Sequence, residues 1–199
     1  AISTLSISYL PNIQSAIAGK SSKAGVWKGF APDYLKLRLP GNEQEVSRIG
    51  ALMDGEVFVA QQAKKSYFLK EASSAGFLHL AVHGELDASS PSYSRLWFGD
   101  EESEALTALE IYDLSLQAQL AVLSACNSGL GDPLFGNGLL SLAQAFRMAG
   151  IGSTVMSLWE VPDRESAAIM EYFYHHLKSG LSKDEALRQA KLTYLENQN

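Results

Sequence analysis

Short apolar runs alternate with stretches of helical period along this 199-residue chain. Residues 5–10, 57–60, 77–82, 121–125 and 153–159 are rich in β-branched or large apolar side chains, and most lack polar alternation. Strands covered by helices on both faces have that pattern. Between them, residues 42–53 place Val46, Ile49, Leu52 and Met53 on one face, with Asn42 as a candidate cap and Glu45 at the third helical position. Residues 61–73 carry Tyr67, Phe68 and Leu69 up to a stop at Gly76, and residues 138–148 align Leu139, Leu142, Ala143 and Phe146. Residues 163–177 carry Ile169, Met170, Phe173 and Tyr174 before Gly180, and residues 182–195 open on a Ser182-Lys183-Asp184-Glu185 capping box. The alternation predicts one α/β domain over residues 1–199, a mostly parallel sheet with helices on both faces and right-handed crossovers.

Two segments break the rhythm. Residues 19–32 are rich in Gly, Ser and Lys and read as a mobile surface loop. Residues 84–106 hold Ser89-Ser90-Pro91-Ser92, then Arg95-Leu96-Trp97-Phe98-Gly99, then an acid-rich stretch, and read as a small hairpin beside the main sheet.

Composition narrows the classes of function. A formal net charge of -6, with Lys and Arg scattered, leaves no basic field for nucleic acid. No run reaches the roughly 18 consecutive apolar residues of a membrane helix. The single cysteine cannot form an internal disulfide, which fits a reducing, cytoplasmic setting. The start at Ala1, with no initiator Met and no basic leader, reads as a domain cut from a longer protein.

That one cysteine, Cys126, follows an apolar run and precedes Asn127-Ser128-Gly129. The run at 77–82 ends in the same way, in His83-Gly84. In an open parallel sheet the loops leaving the carboxyl ends gather along one edge, so parallel neighbouring strands would bring the thiol and the imidazole side by side. An imidazole can take the thiol proton, and the thiolate can then attack an acyl carbon. The backbone amides of Gly84 and Cys126 are candidates to hold the developing oxyanion. Each residue also has a plainer reading, Cys126 as a small buried hydrophobe and His83 as a structural histidine. His79 reads as a packed core histidine or a residue backing the site, and His175-His176 as helix residues that pack or face solvent. No ligand cluster supports a metal reading of His79, His83 and Glu85, and neither a Gly-x-Ser-x-Gly elbow nor a phosphate-binding glycine motif is present. No cofactor is expected.

The motifs themselves are informative. His79-Leu80-Ala81-Val82-His83-Gly84, Leu123-Ser124-Ala125-Cys126-Asn127-Ser128-Gly129, Gly136-Asn137-Gly138 with its following helix, and Ser157-Leu158-Trp159-Glu160-Val161-Pro162-Asp163 resemble the CHAT domain, a branch of the caspase-like cysteine peptidases. The resemblance runs over about residues 40–191, and more loosely to Ala1. It implies a caspase-like three-layer sandwich, with His83 as general base, Cys126 as nucleophile and a protein or peptide as substrate. It further implies a substrate strand added along Ser157, Leu158 and Trp159, and an acidic pocket residue among Asp163, Asp132 and Glu160. Asp163 reads equally as a helix cap. Asn127-Ser128 and Pro162 depart from the family's usual residues without touching the Cys-His pair. CHAT domains commonly follow tetratricopeptide-type repeats, so a regulatory repeat domain in the same parent chain is expected. The alternative is a caspase-like scaffold that performs no chemistry.

Overall fold

The computed structural model describes residues 7–9, 25–36, 38–87, 89–124, 136–157 and 162–197. Its main sheet has six strands: β1 (Ile7–Tyr9), β2 (Val26–Ala31), β3 (Glu56–Val59), β4 (Ala75–Leu80), β8 (Leu120–Leu123) and β9 (Thr154–Ser157), in the order β1-β9-β8-β4-β2-β3. All neighbours run parallel except β1, which pairs antiparallel with β9 along the sheet's edge. A second, three-stranded antiparallel sheet contains β5 (His83–Glu85), β6 (Arg95–Trp97) and β7 (Ala105–Thr107). It realises the hairpin expected within residues 84–106, with one strand more.

Strand residues alternate between two cores. On one face, Phe30, Leu78, Leu80, Ala121 and Leu123 pack with Phe68 of α2 (Lys65–Glu71), Ile111 of α3 (Ala108–Tyr112) and Phe146 of α4 (Gly136–Met148). On the other, Trp27, Ala81, Leu120, Val122 and Val155 meet Val46 and Ile49 of α1 (Asn42–Met53), Phe173 and Tyr174 of α5 (Asp163–Lys178) and Leu187 of α6 (Lys183–Glu196). Both faces of the central strands are therefore buried, which accounts for their largely apolar runs. The α/β, three-layer expectation holds.

Some local details differ from expectation. Residues 25–31, placed in a mobile loop, contain β2, buried at the heart of the sheet between β3 and β4. Gly29 and Lys28 disguise it, since glycine and lysine are both poor strand formers. Gly29 is there for space: a Cβ would come within 2.2 Å of the Trp27 ring and 2.7 Å of Val46. Lys28 is buried too, and its ammonium pairs with Glu71 at 2.8 Å and Glu56 at 3.0 Å. The helix at 61–73 is broken into α2 flanked by single 3-10 turns. Gly41, at φ 92°, and not Asn42, caps α1; the Asn42 amide instead donates to the Pro32 carbonyl at 2.9 Å. Ser182 stands at the cap of α6 without a side-chain cap bond. The capping box that does form, Thr107 with Glu110, starts the unforeseen helix α3.

The Lys28 cluster sets a pH dependence. Burial alone would push the Lys28 pKa down, but hydrogen bonds and charge from Glu71 and Glu56 outweigh it and hold the pKa above its ordinary 10.5. A raised lysine pKa stabilises the fold fully below the ordinary value, and the contribution disappears as pH rises through the folded-state value. In urea titrations, wild type should therefore exceed Lys28→Met in stability near neutrality, and the gap should narrow above pH 10.5. A gap that stays constant or widens there would remove the cluster as its source.

Candidate active site

The strands' carboxyl ends open at a topological switch. The chain leaves β2 for α1 on one face, whereas neighbouring β4 leads to β5 and then to α3 on the other. Such a divergence opens a crevice at the sheet edge, the usual ligand site of doubly wound folds. His83 lies there as the first residue of β5, 7% exposed. Gly84 follows it, buried and paired with Leu96.

The thiol's strand is the immediate neighbour. β8 lies parallel to β4 with Leu80 opposite Leu123. His83 follows Leu80 by three residues, and Cys126 follows Leu123 by three. Cys126 itself lies outside the described residues, as do Asp132, Leu158, Trp159 and Glu160.

His83 is held from β2's exit. The Tyr34 hydroxyl accepts a hydrogen bond from the His83 backbone N–H (3.0 Å) and donates to the Trp97 carbonyl (2.5 Å), while its ring lies 4.5 Å from the imidazole, centre to centre. Burial drives the Tyr34 phenol well above its ordinary pKa, and the bond from the His83 amide only partly offsets that. The next two amides, of Leu35 and Lys36, donate to the Asp100 carboxylate at 2.6 and 3.2 Å. Tyr34 escaped the sequence reading because β2 did; a tyrosine three residues past a recognised central strand would have marked this edge.

His79 is the core histidine it was read to be. Fully buried, it reaches Glu45 through Nε2 (3.0 Å) and the Tyr174 hydroxyl through Nδ1 (3.2 Å), with Trp27 stacked on its ring at 5.8 Å. Glu45, expected to serve the α1 cap, is instead the buried carboxylate of that network. Among the described residues no group of three His, Cys, Asp or Glu is arranged to hold a metal. His175 is exposed and His176 touches Thr193 at the end of α5, both away from the edge.

Asp163 opens α5 as its first helical residue, with Pro162 at the cap position, where the helix dipole favours a carboxylate. It also lines a cavity of about 520 Å³ between α1 and α5, with Glu45, Arg48, Arg164 and Glu171. A narrow cleft sharing Gly41, Glu45 and Asp163 continues to Ser124, at the exit of β8. Ser157, at the end of β9, pairs with Ile7 of β1 on its outer side.

A family model described as the CHAT domain matches residues 5–199. The chain belongs to the CHAT domain family. The CHAT domain is 26% identical to tetratricopeptide repeat protein 28 of Mus musculus and 25% identical to its Homo sapiens counterpart, each over 76% of this chain. It spans only about 8% of the length of those relatives. Among solved structures, it aligns with a flavodoxin of Streptococcus pneumonia TIGR4 at 15% identity and a TM-score of 0.42, covering 78% of this chain and 99% of that one. No helix among the described residues of the CHAT domain is long and apolar enough to cross a membrane.

Proposed function

We propose that this CHAT domain is a cysteine endopeptidase in which Cys126 is the nucleophile and His83 its base. The observation that carries the reading is the β4–β8 register: adjacent parallel strands deliver the chain towards His83 and Cys126 with the same three-residue step. His83 takes the thiol proton, the thiolate adds to the scissile carbonyl, and the amine leaves with the proton held by His83. Water, deprotonated by His83, then hydrolyses the thioester and regenerates the thiol. The backbone amides of Gly84 and Cys126 are assigned to the oxyanion.

The substrate is a protein segment added as a strand along Ser157, Leu158 and Trp159. Because β1 already pairs with β9 at Ser157, that segment takes the place of β1 or docks beyond it. Asp163, among the residues lining the α1–α5 cavity, is the candidate carboxylate for a basic side chain before the cut, with Asp132 and Glu160 as further candidates. The names of the curated relatives support tetratricopeptide repeats elsewhere in the parent chain. Such repeats are assigned the recognition of a partner and the gating of the peptidase. The domain works in the cytoplasm, where its one thiol stays reduced. The covered edge of β9 favours a second reading, a scaffold that performs no chemistry.

The test is a peptide library scanning the residue before the cut, incubated with the full-length parent protein and its Cys126→Ala variant. Cleavage by the parent, lost in the variant, is expected; cleavage that survives Cys126→Ala overturns the dyad. Labelling by an Arg-directed acyloxymethyl ketone should fall in Asp163→Asn, and unchanged labelling would remove Asp163 from the pocket.

A further inference from the structure

We infer that Tyr34 is a positioning residue for His83, fixing the imidazole at the switch-point crevice; the inference rests on reading His83 as the base. Two separate contacts act on the same residue. The Tyr34 hydroxyl stands between the His83 N–H and the Trp97 carbonyl, and those residues face each other across β5 and β6. The hydroxyl therefore fixes the backbone from which the imidazole projects. The Tyr34 ring lies 4.5 Å from the imidazole at an interplanar angle of 59°, filling the space into which the imidazole would otherwise swing.

Tyr34 is itself held. It is 4% exposed. A phenol is neutral at physiological pH, so the hydroxyl can both donate and accept, and burial shifts its pKa further upward. Just beyond it, Asp100 takes the amides of Leu35 and Lys36. The exit of β2 is thus tied to the small sheet at the carboxylate of Asp100 and at the hydroxyl of Tyr34. A base must stay within about 0.5 Å of its working geometry, and a displacement near 1 Å can cost about 100-fold in rate. Tyr34 is placed to prevent that displacement without itself touching substrate.

The experiment uses Tyr34→Phe, Tyr34→Leu and Asp100→Asn in the full-length parent protein. For Tyr34→Phe, kcat on a cleaved peptide is expected to fall by about 10–100-fold with KM within about two-fold of wild type. Tyr34→Leu, which also removes the ring, should fall further, and Asp100→Asn should fall less. The second readout needs no activity: ring ¹⁵N resonances of His83, assigned by their loss in His83→Gln. They should move in both Tyr34 variants while those of His175 and His176 stay in place. If the His83 ring resonances coincide with wild type in both folded Tyr34 variants, the inference is overturned. Should the Tyr34 variants fail to fold, unmoved His83 resonances in Asp100→Asn overturn it equally, and moved ones support it. A parent that cleaves nothing, with His83 resonances that still move, would fail the peptidase reading and leave Tyr34's positioning role standing.

Discussion

His83→Ala is expected to lower kcat/KM on a cleaved peptide by about 100- to 10,000-fold, the range over which a positioned acid–base group acts. The fold should survive the change. What secures β5 at this position is backbone: the His83 N–H bonds to Tyr34, and the register opposite Trp97 involves main-chain groups. Neither needs the imidazole, so circular dichroism and the unfolding midpoint should stay close to wild type while activity collapses. Because the variant leaves a vacated slot beside the Tyr34 ring, exogenous imidazole at millimolar concentration should restore part of the rate. A loss below about three-fold, or a loss matched by unfolding, would take the role of base away from His83. Cys126→Ala should be as damaging but unresponsive to imidazole, which separates nucleophile from base.

The route from residues to this edge was unequal along the chain. Strands β4 and β8 were legible because both faces are buried, so residues 77–82, with His79 the one polar member, and 121–125 read as apolar runs. The candidate dyad followed from topology once those strands were assigned as parallel neighbours, and the register Leu80–Leu123 agrees with that assignment. β2 was not legible, because its residues answer to partners distant in sequence. Lys28 is acceptable in a buried strand only because Glu71 and Glu56 meet it, and Gly29 only because Trp27 and Val46 fill the space above it. Tyr34 and the Glu45–His79 pair were hidden for the same reason: residues separated by 49 and 34 positions meet only after the sheet is assembled. The opposite error arose at α1, where Asn42 and Glu45 fit a local capping pattern while tertiary partners claim both side chains. Local patterns were an uneven guide even between near neighbours along the chain: the Ser182 box that was read has no side-chain cap bond, and the Thr107–Glu110 box that forms was not read.

Trp27→Ala is expected to cost about 3–5 kcal/mol, the range for truncating a buried large aromatic side chain. Against a total of roughly 5–15 kcal/mol for a domain, that is enough to leave the variant marginal. The upper part of the range is favoured by what surrounds the ring. Trp27 is 2% exposed, and β-carbons built on Gly29 and Gly55 would fall 2.2 and 2.6 Å from it, so these glycines are the mould into which the indole is cast. Glycines have no side chains that can move in to fill the void. The ring also stacks on His79 and meets Tyr174 edge-on at 5.9 Å, so its removal uncovers the buried Glu45–His79–Tyr174 network from below. Water entering there would compete for the His79 contacts to Glu45 and the Tyr174 hydroxyl. Urea unfolding should show a lower midpoint at unchanged m, the signature of lost stability without a change in the surface exposed. A loss under about 1 kcal/mol would mean that α1 settles onto the sheet when the ring is gone. Because β2 runs from Trp27 to the loop carrying Tyr34, a variant that does fold should also slow catalysis, through displacement of Tyr34 from His83 and not through any contact of Trp27 with substrate.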